Sequence, residues 1–238
     1  MRNLACFAVL LAACTDEASV RLELANQTPE AHVQGLLPDG RSLRLKMIAV
    51  YLAEDVDPVT QNNLGSTSMV WLNPQCNGDI SSCNIDGFGG GVTEYFDLAR
   101  STEAINAELH SQDTAIALGT YRYARVEMCK GTIGELPTVP TLQWQGPGMT
   151  SEQAFTSGDC GRTSLAFDPP LELVTGDAVD VQLGYDLSRA IVTGAPSSLC
   201  GASSVEGDER CFRACVTTSP TTRTCMDFPD FTPTAAKL

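Results

Sequence analysis

The chain has 238 residues, a formal net charge of −14 and ten cysteines. An acidic excess of that size repels phosphate backbones and anionic head groups, so nucleic acid is not an expected partner. With 43% apolar residues the chain can pack a core, and it lacks the composition of a disordered tail.

The first segment concerns export. Met1-Arg2-Asn3 carries one positive charge, Leu4 to Ala13 is apolar, and small residues precede Cys14, which is the order of a secretory signal. The apolar run is too short to span a bilayer as a helix. Leu11-Ala12-Ala13-Cys14 resembles the lipobox of bacterial lipoproteins. The resemblance implies a signal peptide at 1–13, a diacylglyceryl group on the Cys14 thiol and an acylated new amino terminus. The implied partner is a membrane, held through the acyl chains on Cys14, and the implied location is the cell envelope. Thr15 stands where that family's inner-membrane retention signal is usually Asp, which favours the outer membrane. Ordinary secretory cleavage with no lipid is the competing reading.

Of the cysteines, Cys6 leaves with the signal and Cys14 takes the lipid. An even set remains: Cys76, Cys83, Cys129, Cys160, Cys200, Cys211, Cys215 and Cys225. In an oxidising compartment such a set reads as disulfides. Proximity in sequence pairs Cys76 with Cys83 and Cys129 with Cys160, and leaves the last four to pair among themselves. A zinc site is the alternative, but the Cys-x2-Cys knuckle is missing.

Residues 14–19 form a short tether, so the domain is expected close to the membrane. Val20, Leu22 and Leu24 alternate with Arg21 and Glu23, a half-buried strand. After the turn signal Pro38-Asp39-Gly40, Leu43 to Ala53 reads as one long central strand with Leu43, Leu45, Met47, Ala49 and Tyr51 on one face. Ile48, Val50 and Leu52 require cover on the other face as well. Met69 to Leu72 is a short strand carrying Trp71. Asn73 to Gly91 is irregular, with Asn77, Asp79, Asn84 and Asp86 among glycines. It is a disulfide-stapled surface loop or, on the chemistry of its oxygens, a calcium loop, although it departs from the EF-hand pattern.

Further strands are expected near Val92 to Leu98, Ala115 to Leu118, Thr120 to Cys129, Thr141 to Gln145, Leu165 to Phe167, Leu171 to Val174 and Val179 to Leu187. Ser101 to His110 is a short helix capped by Ser101, with Ile105 and Leu109 on one side. In Thr120 to Cys129 the tyrosines Tyr121 and Tyr123 fall on the opposite parity to Ala124, Val126 and Met128, which calls for a bulge or for tyrosines that face out. Gly131 to Gly161 is a loop-rich insertion. The fold class is therefore all-β: a single antiparallel β-sandwich of about 8–9 strands over residues 20–194, with one short helix. Residues 195–238, rich in Cys, Pro, Ser and Thr, form a disulfide-tied wrap and carry too little apolar content for a core of their own.

Tyr95-Phe96-Asp97-Leu98, Gly119-Thr120-Tyr121 and Gly176-Asp177 before Val179 to Leu187 resemble a family of bacterial lipoprotein domains of unknown function, over roughly residues 42–190. The resemblance implies a transthyretin-like or immunoglobulin-like sandwich and brings no catalytic residues.

Only two histidines, His32 and His110, are present to serve base-dependent chemistry. The chain has no Gly-x-Ser-x-Gly elbow, no His-Glu-x-x-His helix and no phosphate-binding glycine loop. The expected role is a non-enzymatic binding or structural module without a cofactor, meeting an envelope protein or glycan through the loops Asn73 to Gly91 and Gly131 to Gly161. Trp71, Trp144, Tyr121 and Tyr123 are candidates for stacking on a sugar or a partner. Two alternatives stay open: a secreted hydrolase using His32 or His110, and a calcium-stabilised carbohydrate- or protein-binding module.

Overall fold

A computed structural model describes residues 16–30, 32–33, 42–58, 62–76, 95–127, 142–145, 153–155, 162–194, 214–219, 222–226 and 231–238. The first alternating stretch forms β1 (Glu17–Asn26), which buries Ala18, Val20, Leu22 and Leu24 and leaves Arg21 and Glu23 half-exposed. It begins within the stretch expected as tether, so the strand starts three positions earlier than the pattern indicated. The cleanest alternation, Val179 to Leu187, forms β11 (Ala178–Tyr185) and runs beside β1 in parallel. β6 (Thr114–Ala117) and β15 (Phe231–Lys237) complete a sheet in the order β15-β11-β1-β6.

Two expectations change here. The sandwich is not purely antiparallel, because β1 and β11 enter their sheet from the same end. The C-terminal stretch is also more than a wrap: β15 pairs along the whole of β11, and Phe231 packs edge-on against Tyr185 with ring centres 5.8 Å apart. That edge would otherwise expose a row of backbone donors and acceptors.

The facing sheet has the order β10-β7-β3-β4, built from β10 (Arg162–Leu173), β7 (Gly119–Glu127), β3 (Ala49–Ala53) and β4 (Thr67–Leu72). Both sheets contribute to one core, with Leu22, Leu24, Val181 and Leu183 from the first and Val50, Leu52, Tyr121 and Val126 from the second. At the edges β10 lies beside β15 and β4 beside β6, where the Thr114 hydroxyl donates to the Val70 carbonyl at 3.0 Å. These eight strands are the sandwich.

The long strand expected at Leu43 to Ala53 is two strands in two sheets. β2 (Leu43–Lys46) lies between β5 (Tyr95–Asp97) and β8 (Leu142–Trp144), with β9 (Gln153–Phe155) beyond β8, while β3 joins the sandwich. Met47 and Ile48 are the crossing point, and the alternation changes face there. Leu43, Leu45 and Met47 enter the main core, followed by Val50 and Leu52, whereas Ile48 and Ala49 form a second cluster with Cys76 on the other side. Apolar residues on both parities thus recorded a change of sheet as well as two-sided cover.

Two irregularities settle the remaining parity conflicts. Between β3 and β4 the register slips at Val50/Tyr51, so the consecutive Val70 and Trp71 both point into the core. Between β7 and β10 it breaks from Ala166 to Leu171, opposite Arg122, and this stretch of β10 contains the cis Asp168-Pro169 bond. Tyr121 on one side of the break and Ala124 on the other therefore reach the same core. Arg125 and Glu127, which alternate with Ala124 and Val126, are charged yet only 5% and 8% exposed on the outer face of β7.

A separate sheet, β12-β14-β13, holds β12 (Ile191–Gly194), β13 (Ala214–Ser219) and β14 (Thr222–Met226), after the four-residue helix Leu187–Ala190.

Candidate functional site

β6 pairs with only the first part of β1, from Glu17 to Val20. Beyond it the backbone of β1 meets α1 (Thr102–Leu109) and Ser111 just past its end, whose side chains continue the ladder. The Leu22 amide donates to Ser111 Oγ at 3.0 Å, the Leu24 amide to Asn106 Oδ1 at 2.8 Å and the Asn26 amide to Thr102 Oγ1 at 3.2 Å. Asn106 Nδ2 returns a bond to the Leu24 carbonyl at 2.8 Å. Thr102 and Asn106 stand four apart and so share one helix face. A helix here does what another strand would do and covers the edge of β1.

Asn26 ends β1 and organises the turn beyond it. Its Nδ2 donates to the carbonyls of Leu98 and Arg100, both at 3.1 Å, and its Oδ1 accepts from the Thr28 amide at 3.0 Å. Thr28 Oγ1 accepts from the Leu187 amide at 2.7 Å. The Tyr185 hydroxyl, buried beneath, donates to the Leu98 carbonyl at 2.9 Å. Burial, and then the charge of Asp97, push the Tyr185 hydroxyl well above the usual tyrosine range.

Above this floor lies a cleft of about 460 Å³, lined by Asn26, Thr28, Glu30, Val33, Ala99, Arg100, Ser101 and Thr102. Its size is that of a small-molecule or short-segment site. Arg100 bonds Glu108 and lies 3.9 Å from Asp97, so its guanidinium is held at the rim. Ser101 caps α1 by accepting from the Ala104 amide at 3.3 Å. Glu103, one residue into the helix, is held below the usual carboxylate range by its own backbone amide and then by the Ser101 hydroxyl. The lining combines amide, hydroxyl, one carboxylate and one guanidinium, a set suited to hydrogen-bonding a neutral polar ligand in a fixed orientation.

The residues singled out by sequence lie mostly elsewhere. Trp71 and Tyr121 are in the core, 4% and 1% exposed, and offer no stacking surface. The Trp71 indole donates to the Leu109 carbonyl at 2.9 Å and the ring meets Phe96 edge-on. Tyr123 is half-buried, and Trp144 is placed by its backbone opposite Leu43. His110 is exposed and closes the far end of α1 in a left-handed conformation, φ 47. His32 is exposed between the cleft residues Glu30 and Val33. The eight residues of α1, at about 1.5 Å rise each, keep His110 roughly 12 Å from the cleft end. Among the described residues neither imidazole hydrogen-bonds a hydroxyl or a carboxylate, so no nucleophile–base pair is assembled.

Cys76 is fully buried and disulfide-bonded. Cys14, Cys83, Cys129, Cys160, Cys200 and Cys211 lie outside the described residues, as do Asn77, Asp79, Asn84 and Asp86 of the calcium loop and most of the two loops expected to bind a partner. Cys215 and Cys225 are register partners in β13 and β14. Among the described residues no three His, Cys, Asp or Glu side chains gather as a metal site, and no helix is long and apolar enough to cross a membrane. The cleft itself escaped the sequence reading. Its only sequence signals were Asn26 at the end of an alternating run and a helix cap at Ser101, and neither reveals that the two meet.

Comparison with protein-family models, with curated proteins and with solved structures finds no match to this chain.

Proposed function

We propose that the protein is a lipid-anchored, non-enzymatic module of the cell envelope that binds a polar ligand, a glycan or a protein segment, in the cleft at the end of its sandwich remote from the anchor. The observation that carries this reading is polarity along β1. Its first residue, Glu17, stands three positions after Cys14, and its last, Asn26, lines the cleft. Ten extended residues separate the two ends by about 30 Å. Acyl chains on Cys14 fix the near end to a bilayer, each buried methylene adding about 0.8 kcal/mol, and the cleft then faces away from the lipid. Glu30 and Arg100 offer one charge of each sign to orient what enters.

The test is an array of glycans and of extended peptides probed with the mature protein and with Glu30→Ala and Arg100→Ala. Ligands bound by the parent and lost by both variants support the cleft. A ligand set that survives both substitutions moves binding to another surface.

A further inference from the structure

The end of the sandwich that carries Glu17 has its own character. Three loops and the C-terminal residues converge there, because the strands that bound them are in register. The β6–β7 turn belongs to it, since Ala117 pairs with Glu17. The β10–β11 turn follows, since Leu173 pairs with Gly119 and the Ser19 amide donates to the Asp177 carbonyl. The C-terminal residues join it, with Lys237 Nζ on Asp177 Oδ2 at 2.6 Å. The β3–β4 loop completes it: Glu54 Oε2 accepts from the Ser66 amide, while Glu54 Oε1 lies 3.6 Å from where a Gly119 side chain would begin. On this end Leu64 is 63% exposed, Val174 55% and the last residue, Leu238, 80%. Among the described residues only one other large apolar side chain is exposed, Met69, on the outer face of β4.

We infer that this end is a membrane contact: Leu64 and Val174 insert into the head-group region of a zwitterionic phospholipid surface and set the domain's orientation on it. The inference rests on lipidation at Cys14, because it is the tether that names the occupant. From Cys14 to Glu17 three extended residues span roughly 10 Å, too short a leash for the loops around Glu17 to stand clear of the head groups. Isolated exposed leucines are ordinary on protein surfaces. Here they are gathered at the one end that the tether delivers to lipid. Two such side chains would not bring a soluble protein to a membrane. Tethering makes their contact intramolecular, so they need only orient what the acyl chains already hold. Charge selects the lipid. Asp16 and Glu17 at the start of β1 and Glu54 and Asp55 just after β3 lie at this end, while Lys237 is paired with Asp177, so anionic head groups are repelled.

The experiment places the lipidated full-length protein in phosphatidylcholine–phosphatidylethanolamine vesicles with brominated acyl chains, which quench nearby indoles. Three variants are compared with the parent, whose own tryptophans give the background: Leu64→Trp, Val174→Trp and, at the cleft end, Gln27→Trp. The expected result is co-flotation of all proteins with the vesicles and loss of the added emission at 64 and 174, with emission at 27 unchanged. Adding anionic phosphatidylglycerol should weaken the loss. Flotation without quenching at 64 and 174 overturns the contact and leaves the anchor standing, and the two apolar residues then serve another protein. Failure of the parent to float overturns the anchor and the contact with it.

Discussion

Tyr185 joins the fold to the cleft floor through one hydroxyl, and its chemistry is open to measurement. Burial first, and the charge of Asp97 second, raise its pKa, so the folded state favours the neutral phenol. A raised acid contributes stability that is complete below the unfolded pKa, about 10 for tyrosine, and is lost as pH rises beyond it, where the unfolded chain can ionise. Tyr185→Phe should cost about 1 kcal/mol at neutral pH through the lost bond to Leu98. It should also flatten the alkaline fall in stability, as urea melts on either side of pH 10 would report. Asp177 works in the opposite sense. Lys237 and then the Val174 amide hold its carboxyl below the usual range, so its contribution is present above that range and fades as pH falls through the lowered pKa. His110 closes α1 in a left-handed position that favours glycine. His110→Gly should therefore stabilise the protein, by about 1 kcal/mol in thermal or urea unfolding, whereas destabilisation would mean that the imidazole makes an essential contact.

At the scale of elements, the period-2 pattern was legible wherever a strand keeps one face in the core, as in β1 and β11. It misled where the chain changes sheet. Leu43 to Ala53 is continuous in composition, and its apolar residues on both parities read as two-sided cover of one strand as readily as a crossing at Met47 and Ile48. The parity of Tyr121 against Ala124 did signal an irregularity, and the signal was real, but it arises from β10 opposite, which the pattern of β7 alone cannot locate. The pairing of α1 with β1 was invisible for a similar reason, since Asn106 and Ser111 look like ordinary polar helix and loop residues. Asn106→Ala should cost roughly 3 kcal/mol, because it strips partners from both the amide and the carbonyl of Leu24. Asn106→Leu should do no better, whereas a surface helix residue such as Glu103 should tolerate alanine with a much smaller loss. The hairpin β13–β14 sets Cys215 directly opposite Cys225. Opposed residues in an antiparallel pair have Cα atoms about 4.5–5.5 Å apart, within the range a disulfide spans. Peptide mapping of the unreduced protein should return these two cysteines in one linked fragment, and linkage of either to Cys200 or Cys211 instead would count against that register.

Across the whole molecule the sandwich has two unlike ends. One gathers Glu17, the C-terminal residues and two exposed apolar side chains; the other holds a polar cleft floored by Asn26 and Tyr185. Composition and the resemblance of Leu11-Ala12-Ala13-Cys14 to a lipobox spoke to the first end, because signals for export and acylation are read from linear sequence. The second end was silent, because a cleft is made by residues such as Thr28 and Arg100 that only the turns bring together. The same asymmetry explains why the aromatic residues were poor guides: Trp71 and Tyr121 are spent on the core and their polar atoms are satisfied there. The direction in which the cleft faces depends on the proposed anchor at Cys14. Intact mass of the mature protein purified from membranes, with and without reduction, tests it most directly. The expected result is a chain beginning at Cys14, heavier by its acyl groups, with no free thiols. A chain without lipid, or one carrying two or more free thiols, would contradict it.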